Sequence, residues 1–118
     1  METKKKKKDI CVDFDGVLNK YTGWKGEDEL FDIREGCEEF LQKLYESYNI
    51  TILTTRNPEK VQDWLKKYNV EKYIKQVTNK KVPAVLYVDD RGLQFNGNFN
   101  DTLNQIENFK THYEKTDF

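Results

Sequence analysis

The stretch Ile10-Cys11-Val12-Asp13-Phe14-Asp15-Gly16 decides how this chain folds. Its apolar residues predict a fully buried strand, and the two carboxylates with a glycine behind them predict that the strand ends there and the chain turns. Open α/β sheets bind their ligands at the carboxyl ends of the strands, which is where these acids fall. On its own, Asp-Gly is also an ordinary turn dipeptide, and a simple turn is the alternative interpretation.

A second acidic pair, Asp89-Asp90, closes another apolar run over residues 84–88. Turns alone do not explain two buried strands that both end in carboxylates. Carboxylates that converge in one crevice repel one another and lose hydration, so such a cluster implies a bound cation or an altered protonation state.

The composition describes one small domain whose basic charge is concentrated near one end. The chain has 118 residues, 35% of them charged, and a formal net charge of −1. Residues 4–8 are all lysines, so the rest of the chain is acidic, which argues against a duplex-DNA binder with a basic face. We expect residues 1–9 to form a disordered basic leader, with a weak tether to polyanions as the alternative, and residues 10–118 to form the domain.

Neither a secretory signal nor a membrane span is expected, because the apolar run behind the lysines ends at Asp13. Cys11 and Cys37 fall on a predicted strand and a predicted helix without metal-type spacing, and we interpret them as reduced core residues. These features favour a cytoplasmic protein. The single histidine, His112, is interpreted as a surface residue of the last predicted helix.

Strands and helices alternate along the chain. Apolar residues three and four positions apart predict a helix over residues 35–48, with Tyr45 and Tyr48 in its apolar stripe. Asn57 is a predicted N-cap, with Pro58 at the first position of the next helix. The other expected elements are strands at residues 10–12, 50–54, 73–77 and 85–89, an edge strand or hairpin at 93–99, and a last helix capped by Asn100 or Asp101. This alternation predicts a single Rossmann-like three-layer α/β/α domain with a mostly parallel sheet.

Two connecting segments lie near the predicted strand ends. Thr54, Thr55 and Arg56 separate a strand end from a helix start, where free backbone N–H groups suit an anion. Residues 20–32 show no sustained periodicity of apolar residues and are rich in glycine and aromatic residues. Their Tyr21 and Trp24 either line the entrance of the crevice or cover the edge of the sheet, and both interpretations stay open.

This order of motifs resembles the haloacid dehalogenase superfamily of phosphotransfer enzymes. The resemblance covers residues 10–99, and residues 88–97 are similar to the ending of its small capless members. Val17 stands where many relatives have threonine. Lys80 and Lys81 are adjacent, so the third motif falls on one or the other. The matching positions are Asp13-Phe14-Asp15-Gly16-Val17 for the first motif, Thr54 for the second, Lys81 for the third and Asp89-Asp90 for the fourth.

The resemblance implies a role for each of these side chains. Asp13 would attack phosphorus to give an aspartyl-phosphate, and Asp15 would protonate the leaving oxygen and later activate water. Thr54 and Lys81 would bind the phosphoryl group. Thr55 is assigned to phosphate binding, and Arg56 and Arg91 are candidates for contact with the rest of the substrate. The alternative interpretations are a surface ion pair for Arg56 and a charge at the rim of the crevice for Arg91.

The implied cofactor is Mg²⁺. By resemblance, Asp13, Asp89 and the backbone carbonyl of Asp15 would hold the ion, with waters completing an octahedron. Asp90 is either a ligand through water or the group that orients Lys81.

The spacing of the motifs leaves no room for a cap domain, because predicted elements fill the chain between Asp15 and Thr54 and between Thr54 and Lys81. We therefore expect a Mg²⁺-dependent phosphomonoester hydrolase with an open crevice, acting on a phosphorylated small molecule or on the phosphate at the end of a macromolecule. A nucleotide is one possible substrate, and the lysine leader offers weak nucleic-acid contact. The alternatives are a non-enzymatic Mg²⁺ and phosphate sensor, and a scaffold of the same fold that binds a partner.

Overall fold

A parallel β-sheet forms the centre of the molecule. The computed structural model describes residues 7–80, 82, 84, 86–89, 93–94 and 97–116. The strands are β1 (Lys8–Asp13), β2 (Tyr48–Leu53), β3 (Ile74–Thr78), β4 (Leu86–Asp89) and β5 (Leu93–Gln94), and the helices are α1 (Cys37–Ser47), α2 (Pro58–Lys67) and α3 (Phe99–Thr116). The strands pair in the order β3-β2-β1-β4-β5, and every pairing is parallel. This confirms the predicted single Rossmann-like α/β domain.

One hydrophobic core lies against the helical face of the sheet, and α1, α2 and α3 all contribute side chains to it. Its residues from β1 and β2 alternate along each strand, as one face of a sheet requires: Ile10, Val12, Ile50 and Ile52. On the opposite face Cys11 lies beside Tyr87 of β4, and the Tyr87 hydroxyl donates to the carbonyl of Val82. The chain that follows β3 therefore contacts this second face at Val82.

The structure moves two of the predicted boundaries near the start of the sheet. β1 begins at Lys8, so Lys8 and Asp9 belong to the sheet rather than to the leader, while residues 1–6 lie outside the described part. The helical assignment of Tyr48 is wrong, because this residue is extended, with φ −134°, and pairs with Lys8 as the first residue of β2. The core assignment of Tyr45 is also wrong: its side chain is 44% exposed and its ring lies under the ammonium group of Lys7.

The other boundaries differ by one or two residues. β3 begins at Ile74, because a short 3₁₀ turn precedes it. α3 begins at Phe99, because the side chain of Asn98 accepts a hydrogen bond from the Asp101 N–H at 3.0 Å and so acts as the cap. The start of α2 is confirmed, since the Asn57 side chain accepts from the backbone N–H of the second helical residue. β5 is a parallel edge strand, and the described residues form no hairpin there.

A glycine in the left-handed region precedes α1. Gly36 has φ +84°, a conformation that a residue with a Cβ adopts at a cost of about 1–2 kcal/mol. A Cβ at this position would lie 3.3 Å from a ring carbon of Phe99. The Phe99 ring stacks on Phe40 with centroids 4.7 Å apart. Close contact between α1 and α3 therefore depends on the absence of a side chain at residue 36.

Residues 20–32, which we call the arm, lie between β1 and α1 along the chain. Asn19 and Ile33 form an antiparallel bridge at its base. The arm is attached to α2, because the Trp64 indole N–H donates to the carbonyl of Phe31 at 2.8 Å and the Lys60 ammonium contacts Asp28 at 2.7 Å. No cap domain is present between β1 and α1, as predicted. Within the part of the chain that the structure describes, no helix is both long enough and apolar enough to cross a membrane.

Candidate active site

The ends of three neighbouring strands bring the predicted site residues to one edge of the sheet. β1 ends at Asp13, Thr54 directly follows β2, and β4 ends at Asp89. Val12 pairs with Ile52 on one side and with Val88 on the other, so these strand ends lie level with one another. Parallel strands end at the same edge, which is the edge where such sheets bind ligands.

A cavity of about 390 Å³ opens at this edge. Four residues that the sequence predicted for the site line it: Asp13, Asp15, Thr54 and Thr55. The remaining lining residues are Cys11, Leu53, Asn79, Tyr87 and Val88. The cavity therefore combines carboxylates and hydroxyl groups with an apolar floor.

A buried phenylalanine separates the two acids of β1. The Phe14 ring has no exposed surface and packs edge-on against Trp64, with centroids 4.8 Å apart. Its backbone N–H donates to Oδ1 of Asp13 at 2.8 Å. Because Phe14 is anchored in the core, the half-buried carboxylates of Asp13 and Asp15 are both left at the cavity.

Asp15 is held by two side chains. The Arg56 Nε donates to both carboxylate oxygens at 2.9 Å, and the Asn19 amide donates to Oδ1 at 2.9 Å. Asn19 is fully buried and makes two further hydrogen bonds, one from the Gly16 N–H and one to the carbonyl of Leu30. Oδ1 thus accepts two hydrogen bonds from the described residues, whereas Oδ2 accepts one.

Thr54 is oriented by the backbone on both sides. It is 4% exposed, and its N–H donates to the carbonyl of Thr78 at 3.0 Å, which ties the end of β2 to that of β3. Its Oγ1 accepts from the Arg56 N–H at 3.1 Å. Among the described residues nothing accepts the hydroxyl proton of Thr54, so this proton is available to a ligand oxygen.

Arg56 is buried to an unusual degree for an arginine, with a side chain that is 3% exposed. Its Nη1 and Nη2 are buried and have no hydrogen-bond partner in the described part of the chain. The guanidinium carbon lies 5.1 Å from the centre of the Trp24 ring and 5.9 Å from that of Tyr21. The sequence left open whether Tyr21 and Trp24 line the entrance of the crevice or cover the edge of the sheet. These contacts place both rings beside Arg56 at the edge of the site, although neither ring lines the cavity itself.

Several predicted residues lie outside what the structure describes. Lys81, Asp90 and Arg91 are not among the described residues, and for Asp89 only the backbone is described. Lys80 is exposed, and its backbone N–H donates to Oγ1 of Thr78. The choice between Lys80 and Lys81 and the two roles of Asp90 therefore remain predictions. Among the described side chains, no group of three or more His, Cys, Asp or Glu residues is placed to hold a metal ion.

Both cysteines are buried and neither forms a disulfide, as predicted. Burial, and to a smaller extent the carboxylate of Glu38, raises the pKa of the Cys37 thiol to about 12, so this thiol is protonated and unreactive. Desolvation, with the nearby Cys11, raises the pKa of Tyr87 on the sheet face beside the cavity. Tyr87 is therefore a neutral phenol at physiological pH.

Sequence reasoning did not assign a site role to Asn19 or Asn79. Asn19 lies four residues after Asp15, and a tight turn after β1 brings residues at this spacing together. Asn79 directly follows β3, which is the same strand-end position that singled out the acids. Both signals were present in the sequence, but asparagine is so common in turns that neither position stood out.

Comparison of the chain with protein-family models, with curated proteins and with solved structures finds no match.

Proposed function

We propose that the protein is a Mg²⁺-dependent phosphomonoester hydrolase that forms an aspartyl-phosphate on Asp13. The observation that supports this most is the presence of Asp13, Asp15 and Thr54 around one cavity at the carboxyl edge of a parallel sheet. A nucleophile, an acid and a phosphate-binding hydroxyl are the groups that such a hydrolysis needs from the protein.

The donor set at this edge fits Mg²⁺. The ion prefers carboxylate and carbonyl oxygens, and the neighbouring strands β1 and β4 both end in aspartate. Asp13, Asp89 and the backbone carbonyl of Asp15 would hold the ion, with Asp90 as a ligand through water or as the partner of Lys81. When bound, Mg²⁺ offsets the negative charge of the phosphoryl oxygens, which otherwise repels the nucleophile.

The reaction proceeds in two steps on the chain's own residues. A carboxylate oxygen of Asp13 attacks phosphorus while the bond from phosphorus to the leaving oxygen breaks, and Asp15 gives its proton to that oxygen. Asp15 then takes a proton from water as the water oxygen attacks phosphorus, and the bond from phosphorus to Asp13 breaks. The proton would be carried by Oδ2, because among the described residues Oδ1 accepts hydrogen bonds from both Asn19 and Arg56, whereas Oδ2 accepts one, from Arg56.

Substrate binding uses the groups beside the acids. The Thr54 hydroxyl donates to a phosphoryl oxygen and Thr55 lies next to it at the cavity, while Lys81 and Arg91 supply positive charge. Without a cap the cavity stays open, which suits a phosphorylated small molecule or the phosphate at the end of a larger one. The lysine leader would add weak nucleic-acid contact, and two thiols that form no disulfide fit a cytoplasmic location.

The test is hydrolysis of an aryl phosphate by the full-length chain with Mg²⁺. Asp13→Asn is expected to lower kcat by about 10³-fold or more, because the amide oxygen is a far weaker nucleophile than the carboxylate. Asp9→Asn is the matched control, since Asp9 lies at the opposite end of the same strand and pairs there with Lys75. Equal activity of Asp13→Asn and the wild-type protein would remove Asp13 from its role.

The intermediate separates this proposal from its alternatives. Acid quenching during turnover should trap a phosphorylated protein that hydroxylamine cleaves and that Asp13→Asn lacks. A phosphorylated Asp13 that persists without turnover would favour the sensor. Failure to bind Mg²⁺ at millimolar concentration would favour the scaffold.

A further inference from the structure

We propose that Arg56 acts on the reaction through Asp15, and that the aromatic residues of the arm, Tyr21 and Trp24, hold it there. This role rests on the proposed hydrolase function and adds to it what decides which leaving groups the protein expels. Arg56 is then a positioning residue for the general acid, not the contact with the substrate that its place after β2 suggested.

The burial of Arg56 leaves no surface for direct contact with a substrate. Its side chain is 3% exposed, and Arg56 is not among the described residues that line the cavity. Asp15 does line the cavity, and its side chain is 22% exposed. An effect of Arg56 on a bound phosphate ester must therefore pass through the carboxylate of Asp15.

The hydrogen bonds of Asp15 determine which of its oxygens carries the proton. Each carboxylate oxygen has about two lone-pair sites. Among the described residues, Oδ1 accepts from both Arg56 and Asn19, whereas Oδ2 accepts only from Arg56 and keeps one site for the proton. The Arg56 Nε lies 2.9 Å from both oxygens and so fixes the plane of the carboxylate. Without Arg56, Asn19 alone would hold one oxygen and the carboxylate would rotate about its Cβ–Cγ bond.

The aromatic rings of the arm hold the far end of the guanidinium group. Nη1 and Nη2 of Arg56 make no hydrogen bond in the described part of the chain, so hydrogen bonding does not fix that end. The guanidinium carbon lies 5.1 Å from the centre of the Trp24 ring and 5.9 Å from that of Tyr21, within the range of a cation–π interaction. Trp24 is 61% exposed in this position, so burial in the core does not explain where it lies. The arm therefore keeps Arg56 on Asp15.

A positioned acid matters most for a leaving group that departs poorly. The phenolate ion is more basic than 4-nitrophenolate, so it gains more from a proton delivered as its bond to phosphorus breaks. Phenyl phosphate and 4-nitrophenyl phosphate otherwise have similar shapes, and kcat/KM reports the steps up to the departure of the leaving group. A displaced Asp15 should therefore lower kcat/KM for phenyl phosphate more than for 4-nitrophenyl phosphate.

The test measures kcat/KM for these two esters in the full-length chain with Mg²⁺. Arg56→Lys keeps the charge but loses Nε, and we expect it to lower kcat/KM about 10²-fold for phenyl phosphate and by less than about tenfold for 4-nitrophenyl phosphate. Trp24→Ala should shift the same ratio by about threefold, whereas Trp24→Phe keeps an aromatic face and should keep most of the wild-type ratio. Tyr45→Ala is the matched control, because it removes another exposed ring under a cation, beside Lys7 at the amino end of β1.

Equal losses for both esters in Arg56→Lys, or no loss, would overturn the positioning role and leave the hydrolase in place. An unchanged ratio in Trp24→Ala would overturn the part of the arm, and this exposed position can be tested even if Arg56→Lys does not fold. No hydrolysis by the wild-type protein would overturn the proposed hydrolase and the positioning role with it.

The hold of the arm on Arg56 also has a readout that does not depend on turnover. In NMR spectra the Nε–H of Arg56 should exchange slowly with water in the wild-type protein and in Trp24→Phe, and faster in Trp24→Ala. Equal exchange in all three proteins would overturn this hold, whatever the activity.

Discussion

Replacing Asn19 with leucine should remove a large part of the stability of the domain. Asn19 is fully buried and makes hydrogen bonds to Asp15, Gly16 and Leu30 at 2.8–2.9 Å. The two bonds to backbone groups contribute about 1 kcal/mol each, and the one to the carboxylate contributes about 2 kcal/mol. Leucine has the same branching and the same number of side-chain heavy atoms, so the expected loss of about 4 kcal/mol comes mainly from the unpaired groups it leaves behind. Stabilities of such domains are about 5–15 kcal/mol in total.

The assay is equilibrium unfolding in urea, followed by tryptophan fluorescence. The matched control is Asn104→Leu, because Asn104 is exposed on α3 and its replacement should change the free energy of unfolding by at most about 0.5 kcal/mol. Asn19→Asp is a second variant, since it keeps the acceptor for the Gly16 N–H but loses both donors and places a carboxylate beside Asp15. A loss below about 1 kcal/mol for Asn19→Leu would refute the view that this amide holds the turn together.

Three further predictions concern the helices and the arm. Burial raises the pKa of Cys37 from 9.0 to about 12. Above pH 9 the Cys37 thiol therefore ionises only in the unfolded chain, and the free energy of unfolding falls by about 1.4 kcal/mol per pH unit. Cys37→Ala should remove this slope from unfolding curves measured between pH 9 and 11, and an unchanged slope would contradict the raised pKa of Cys37. Gly36→Ala should lower the free energy of unfolding by more than Gly97→Ala. Both glycines have positive φ, but only a Cβ at residue 36 would lie within 4 Å of another side chain, that of Phe99. Equal losses would count against this contact with Phe99. The hydrogen bond from Lys60 lowers the pKa of Asp28, so the contribution of this pair to stability is present above pH 3.8 and is lost as the pH falls below that value. In Lys60→Gln the pKa of Asp28 measured by NMR titration should return toward 3.8, and an unshifted pKa would rule out the pairing.

The sequence predicted those features that depend on neighbours along the chain. β1 and its terminal acids follow from a short apolar run that stops at charged residues, and α2 follows from Asn57 and Pro58 at its start. Tyr48 shows the limit of this reasoning. It lies four residues after Leu44, so it continues the helical stripe, yet it pairs with Lys8 in the sheet. Periodicity alone does not say where a helix ends when the next strand begins with an aromatic residue.

The parts of the site that depend on distant residues were harder to predict. Asp15 and Arg56 are 41 positions apart, and their ion pair forms because β1 and β2 lie side by side. The sequence marked both residues as site candidates but gave no reason to join them. The burial of Arg56 likewise depends on the arm, whose path over α2 is set by contacts of Trp64 and Lys60 that no local pattern indicates.

Trp64 has a consequence for attempts to redesign this protein. Its ring packs against Phe14, the residue between the two acids, and its N–H holds the arm through Phe31. A library that varies Trp64 would therefore disturb reactivity and selectivity together, and its members would be difficult to interpret. Tyr21 and Trp24 contact the site through the guanidinium group of Arg56 rather than through Phe14, so directed evolution toward new substrates should begin with these two positions.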